Sequence, residues 1–406
     1  MSPARIPVPT PELWIQVNEP SFGSVRLRKR IGNRSRIYSN QAGTELSSNY
    51  SRTGSVQLLL PTKLRNLLDY CNFREDFTAF ADICFREFGG RVFYWTTINE
   101  PNVFALGGYD MGVFAPVQCS KPFGSHCKAG NSTVEPYIVL RHTLLAHASV
   151  AALYREMYLA KQHGRMGLNV YGVWTSLTNS TADALAAQRS NNFYNGWILD
   201  PIVFGDYPES MKKNVGSRLP SFTEFQSKQI KGLFDFIGLN HYLTFYAQDN
   251  SDDPKPEIRD FGIDISAKFT FGKDDTPSGQ AVPGVNVPSN TWGLEPLLDN
   301  IKVTYGNPQV YIQENGYGQL YNETLNDTAR VHYIAGYINA TVNAIRNGSN
   351  TRGYTMWPFL DVFELVTGFQ SRYGLYHVDF NDKNLKTPEI LGSLVYQIAQ
   401  GKQEED

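Results

Sequence analysis

Apolar and polar positions change their period along this chain, and the changes mark its elements. Residues 76–88 repeat apolar side chains at helical spacing and stop at Gly89-Gly90. Residues 92–98 form an aromatic and β-branched run expected as a buried strand, closed by Asn99-Glu100-Pro101. Residues 103–135, rich in Gly and Pro, are expected as a long loop walling a pocket, and 136–163 as one long helix. A strand at 166–171, a helix at 182–194 and a strand at 235–242 follow, with turns at Asp200-Pro201 and Asp206-Tyr207-Pro208. Residues 250–290 read as a polar excursion, then come a helix at 294–305 and a short strand closed by Glu314-Asn315-Gly316. An amphipathic helix at 330–347, stopped by Gly348, and a last strand at 353–358 complete the pattern.

Glu100 and Glu314 thus both stand at strand ends, far apart in sequence. A fold whose parallel strands deliver their C-terminal ends to one face brings such residues together. Two carboxyl groups flanking one bond are what glycoside hydrolysis needs: one protonates the leaving oxygen, the other attacks or activates water. Either glutamate alone reads equally well as a solvent-facing strand end. The pair favours chemistry.

On these residues the sequence resembles the plant β-glucosidases of glycoside hydrolase family 1. Thr97-Ile98-Asn99-Glu100-Pro101 matches the family's acid/base motif. Ile312-Gln313-Glu314-Asn315-Gly316 matches its nucleophile motif, with Gln313 where threonine is usual. The likeness runs from about Arg74 to near Phe380. It implies an α/β fold of the (β/α)8 TIM-barrel type and a retaining double displacement, with Glu314 as nucleophile and Glu100 as acid/base. The expected push on their pKa values is apart, through burial of Glu100 and donors around Glu314.

The resemblance also implies the sugar contacts. Asn99 would bond the 2-hydroxyl; Asn240 and Tyr242 lie on the strand where the family has Asn-Tyr-Tyr, and Tyr242 would bond the nucleophile. Trp357 would lie under the glucose ring, Glu364 would accept two hydroxyls, and Tyr373 would close the side. Leu365 stands where many members have a hydroxyl-bonding tryptophan. No metal or organic cofactor is implied, and the partner is a small-molecule β-glucoside. A transglucosidase using an acceptor alcohol is the runner-up. A non-catalytic remnant with a sugar-binding or regulatory role is the rival from another class.

Residues 1–70 depart from this pattern. They carry ten basic and four acidic side chains and many serines, with short strands expected at 14–17 and 56–60 and a short helix at 63–71. The family's first three strand–helix units are not recognisable there, nor are the sugar-gripping glutamine and histidine they would bring; the first histidine is His126. The expected organisation is therefore an atypical segment 1–70, an incomplete barrel over 71–395, and a flexible tail 396–406.

Composition narrows the partners. A net charge of −2 gives no electrostatic reason for nucleic acid or an anionic membrane, and no apolar run approaches a membrane span. Cys119 and Cys127 sit eight apart in a polar segment, a spacing that closes a small loop, and are expected as a disulfide, as the resemblance also implies. Cys71 and Cys84 are expected as free core thiols. Asn-x-Ser/Thr triplets at Asn33, Asn49, Asn131, Asn179, Asn322, Asn326, Asn339 and Asn347 join the disulfide in pointing to the secretory pathway, vacuolar or extracellular, although no signal peptide is visible. His142 and His147 read as core histidines rather than metal ligands.

Overall fold

The computed structural model describes residues 14–16, 54–57, 70–124, 127–272, 281–282, 287–288, 290–320, 327–380 and 386–388. Its frame is a parallel sheet. Strands β1 (Trp14–Gln16), β2 (Gly54–Gln57), β3 (Val92–Thr96), β4 (Arg165–Leu177) and β5 (Phe236–Asp249) are joined by the Glu314 strand (Val310–Glu314) and the last strand (Thr351–Thr355). In space they run β2, β3, β4, β5, the Glu314 strand, the last strand, β1. All these pairings are parallel, so every C-terminal end opens on one face. A short strand, β6 (Ala267–Thr270), adds antiparallel to the far end of β5. The fold is α/β of the (β/α)8-barrel type, and among the described residues no pairing joins β1 to β2. The strand expected at 14–17 is present at 14–16, and the one expected at 56–60 lies earlier, at 54–57; most of 1–70 and the tail lie outside the described residues.

Helices cover the sheet because their apolar faces have nowhere else to go. Helix α1 (Tyr70–Phe88) packs Phe73, Phe77, Ala81 and Phe85 inward against α3 (Glu135–Leu153). Phe85 meets Trp95 edge-on at 4.9 Å, fixing α1 on the strand that leads to Glu100. The expected helix 136–163 is present over Glu135–Gln162, with a π turn at Tyr154–Tyr158, and ends at His163 in the left-handed conformation. His142 and His147 are buried in it; His147 Nδ1 lies 2.7 Å from Thr97 Oγ1, and burial pulls its pKa down to about 4.

Two expectations need correction. Residues 103–135 are not one loop: Pro101–Tyr109 form helix α2, and only 110–134 remain irregular. Proline at the first helical position, where the missing N–H is harmless, starts α2 despite Gly107 and Gly108. Gly107 is needed where it is, since a Cβ there would stand 2.1 Å from the Phe114 ring. Asp200-Pro201 is not a turn but lies inside the helix Trp197–Phe204. Burial of Trp197, Ile198, Leu199 and Ile202 overrides the local cost of that proline. The helix expected at 182–194 runs Thr181–Asn191, started by a Ser180/Asp183 capping box, before a π turn.

In the irregular segment Cys119 and Cys127 form the disulfide, with Cα atoms 5.5 Å apart. Cys84 is a buried free thiol, pushed up to about 11 by burial, whereas the side chain of Cys71 lies outside the described residues. Of the polar excursion, the described part holds the helix Phe261–Ile265 and β6. Among the described residues no helix is long and apolar enough to cross a membrane.

The barrel interior is filled in layers. Tyr94, Phe236 and Tyr311 form an aromatic layer, with ring centroids 5.1–5.7 Å apart. Amides and hydroxyls replace rings one step toward the C-terminal face. There the site begins.

Candidate active site

Glu100 stands just beyond the end of β3. The ladder runs on through Thr97, whose N–H donates to Gly167 O at 3.0 Å, and Ile98, whose carbonyl accepts from Asn169 N–H at 3.0 Å. Glu100 then turns sharply, with φ 47° and ψ 56°, and caps α2, its carbonyl accepting from Phe104 N–H at 3.0 Å. A residue before proline is pushed out of the right-handed helical region. The left-handed alternative costs a non-glycine residue about 1–3 kcal/mol, a strain that clusters at functional positions.

Glu314 is placed by a β-bulge. Leu239 pairs with Ile312 and Asn240 with Glu314, which leaves Gln313 as the extra residue. A bulge re-aims side chains. Here Gln313 reaches Thr96 across the interior, and Glu314 reaches the Tyr242 hydroxyl.

A string of side-chain hydrogen bonds ties both glutamates together. Asn240 Nδ2 donates to Glu100 Oε1 at 2.7 Å and to Asn99 Oδ1 at 3.2 Å. Tyr242 donates to Glu314 Oε2 at 3.3 Å and stacks on Tyr171, centroids 5.9 Å apart. Asn169 Nδ2 donates to Asn240 Oδ1 at 2.6 Å and to Gln313 Oε1 at 2.8 Å. Because Asn240 is also the register partner of Glu314, the two carboxyls converge on one short stretch of wall.

The adjoining wall comes from the last strand and the segment after it. Trp357, joined to Pro358 by a cis peptide, donates its indole N–H to Glu364 Oε1 at 3.2 Å. Its backbone N–H donates to Asn315 O at 2.9 Å, which binds this wall to the end of the Glu314 strand. Gly316 allows that approach, since a Cβ there would lie 2.3 Å from Trp357 O. Tyr373 is held through its backbone: Arg330, buried and ion-paired to Asp327 at 3.4 Å, donates to Tyr373 O at 2.8 Å and Gly374 O at 2.6 Å. Leu365 is 79% exposed beside exposed Phe363 and Val366.

Burial dominates the electrostatics. It lifts the Glu100 carboxyl to about 7, the Asn240 amide pulling the other way. It lifts Glu314 to about 8, the charge of Glu100 adding to the rise and Asn240 and Tyr242 opposing it. The values expected to move apart therefore both move up. The cause is burial of both groups, with the charge of Glu100 acting on Glu314, and the donors Asn240 and Tyr242 only partly offset it. Two facing buried carboxyls cannot both ionise cheaply, so the pair holds a proton near neutral pH. Glu364 is also raised by burial, with the Trp357 indole opposing.

The structure brings Asn99, Glu100, Asn240, Tyr242 and Glu314 into one network, and Trp357, Glu364 and Tyr373 into the adjoining wall. His241, between Asn240 and Tyr242 in sequence, is fully buried 3.1 Å from the Tyr337 hydroxyl, and burial holds it neutral, down to about 3. Sequence reasoning missed Asn169, Gln313 and Thr96 as parts of the network. An amide inside the otherwise apolar start of β4 was the available signal, because a buried amide needs partners. Asn315 was also passed over: it donates to His241 O at 2.7 Å and accepts from the Tyr354 hydroxyl at 2.5 Å, locking the strand end behind Glu314. Among the described residues no group of three or more His, Cys, Asp or Glu side chains is arranged to hold a metal ion.

A barrel-type parallel sheet with this site at its C-terminal face defines an α/β protein of TIM-barrel type. The family profile described as Glycosyl hydrolase family 1 matches residues 60–390, and the chain belongs to that family. It is 52% identical over 314 residues to beta-glucosidase 22 of Oryza sativa subsp. japonica, covering 77% of this chain and 59% of that relative. It is 54% identical over 316 residues to a cyanidin 3-O-glucoside 7-O-glucosyltransferase (acyl-glucose) of Delphinium grandiflorum, covering 77% and 60%. The chain thus spans about three-fifths of the length of these curated relatives. Among solved structures, the rice Os3BGlu6 beta-glucosidase superposes with a TM-score of 0.79 at 36% identity, covering 84% of this chain and 72% of that one. A family 1 beta-glucosidase from the fungus Humicola insolens, in complex with glucose, gives 0.77 at 31% identity, covering 85% and 73%.

Proposed function

We propose that this chain hydrolyses terminal β-D-glucosides with retention of configuration. The observation that carries the reading is Asn240, which donates to Glu100 while standing in register with Glu314, and this supports both carboxyls acting on one sugar. In the first step a Glu314 oxygen attacks the anomeric carbon as the bond to the aglycone oxygen breaks, and Glu100 delivers its proton to that oxygen. In the second, water attacks the same carbon, Glu100 takes its proton, and the ester to Glu314 breaks. A leaving oxygen beside Glu100 favours the shared proton there, and positive charge growing at the anomeric carbon favours the Glu314 anion.

Trp357 offers the sugar an apolar face, Glu364 accepts from its hydroxyls, Tyr373 closes one side, and Asn99 bonds the 2-hydroxyl. Leu365 supplies contact without a hydrogen bond, which bears on which glycone is preferred. No step calls for a metal or organic cofactor. The disulfide and the triplets at Asn131, Asn179, Asn339 and Asn347, whose asparagines are exposed, support passage through the secretory pathway.

A second reading is favoured by the Delphinium relative, whose name describes a glucosyltransferase. An acceptor alcohol then replaces water on the same covalent intermediate. One experiment separates the readings: incubate the purified chain with an aryl β-glucoside, with and without an alcohol, and follow products by NMR. β-Glucose as the first sugar released supports retaining hydrolysis. An alkyl glucoside as main product supports transfer; α-glucose first, or no turnover by a cooperatively folded chain, overturns both.

A further inference from the structure

The hydrogen bonds beneath the acid/base residue have a fixed direction, and one side chain sets it. Asn169 has two N–H donors on Nδ2; one goes to Asn240 Oδ1 at 2.6 Å and the other to Gln313 Oε1 at 2.8 Å. With both protons committed, each neighbouring amide must turn its oxygen toward Asn169 and its nitrogen away. Asn240 therefore presents N–H, not C=O, to Glu100. Gln313 presents N–H to Thr96, whose hydroxyl oxygen accepts at 2.8 Å.

Gln313 has a made-to-fit place. Strand alternation turns it inward two residues after Tyr311, and the bulge that follows lets Glu314 leave that alternation without displacing it. Gly238 opposite leaves the room, since a Cβ there would stand 2.3 Å from Gln313 Oε1. Asn169 and Asn240 are buried, so no bulk water competes for these two amides.

We propose that Gln313 is a positioning residue for Glu100, acting through Asn169 and Asn240 to keep an N–H donor against the acid/base carboxyl. This rests on the assignment of Glu100 as acid/base made above. Gln313 touches no reacting atom. Without it Asn169 loses one acceptor and can rotate, Asn240 can turn its oxygen toward Glu100, and the carboxyl loses both its orientation and a bond that favours its ionised form.

The test uses leaving groups of different need, because a dinitrophenolate departs without a proton whereas a weakly acidic phenol requires one. Wild type, Gln313→Met and Thr96→Val would be assayed on 2,4-dinitrophenyl and 4-methoxyphenyl β-D-glucosides across pH. For Gln313→Met we expect kcat/KM on the methoxyphenyl substrate to fall about tenfold, while the dinitrophenyl value changes less than about twofold. The alkaline limb of the methoxyphenyl profile should also move to higher pH, since losing the N–H bond raises the pKa of Glu100. Thr96→Val, which frees only the far end of Gln313, should show the same selectivity more weakly; it serves as the deciding variant if Gln313→Met does not fold. Equal losses on both substrates, or an unmoved limb, would overturn the proposal. An inactive wild type would instead count against the assignment of Glu100 on which it rests.

Discussion

Asn240 donates to Glu100 at 2.7 Å although the two residues are 140 positions apart, and the same Asn240 is paired in register with Glu314. One amide on one strand thus relates both carboxyls to a common frame. Rigid strands hold such geometry better than loops do.

The phenol of Tyr242 gives a first prediction. Its 3.3 Å contact is the only hydroxyl donation to Glu314 among the hydrogen bonds of the described residues, and a bond to an ionised group contributes about 1.5–3 kcal/mol. Tyr242→Phe should lower kcat/KM for aryl glucosides by about tenfold to a hundredfold with little change in melting temperature. Steady-state kinetics on the folded variant checks this.

Stability should oppose function at Glu314. Its folded pKa, about 8, lies above the ordinary 4.5 of a free glutamate. A raised pKa means the folded state holds its proton the more tightly. That contribution is complete below pH 4.5 and is lost as pH rises toward 8. Glu314→Gln should therefore be more stable than wild type at pH 9, by roughly 2–4 kcal/mol, and nearly equal to it at pH 4. Denaturant titrations at the two pH values measure the difference.

The loop closed by Cys119 and Cys127 gives a third. Gly112 and Gly124 pack directly on the disulfide: a Cβ on either would come within about 2 Å of a cysteine sulfur. Cross-linking residues eight apart contributes about 2–3 kcal/mol in the chain-entropy account. Cys119→Ala/Cys127→Ala should lower stability by that amount. Thermal melts of the variant against the oxidised parent, with and without reductant, check it; only the parent should respond to reductant.

Much of the frame was legible in the sequence because strands such as 92–98 and 310–314 are short, apolar and stopped by turn residues. The two glutamates were legible for the same reason, each closing such a run. What local pattern could not show was pairing. The bulge at Gln313 exists only relative to β5, and Asn169 acquires its partners only when three strands meet. Helix α2 was hidden because two glycines and a strand-ending proline look like a loop; the packing of Phe114 on Gly107, and of Ala115 and Pro116 on Gly108, is visible only in the fold. Pro201 was misread for a similar reason: the buried face that holds its helix together is set by tertiary contact.

The central claim, that Glu314 and Glu100 act on one anomeric carbon from two strands, is tested most directly by trapping. A 2-deoxy-2-fluoro-β-glucosyl fluoride slows release of the covalent intermediate more than its formation. After peptic digestion and mass spectrometry, we expect a fluoroglucosyl adduct on the peptide containing Glu314, released more slowly in Glu100→Gln than in the parent because water then lacks its base. An adduct on another carboxylate, or turnover without any adduct, would contradict it.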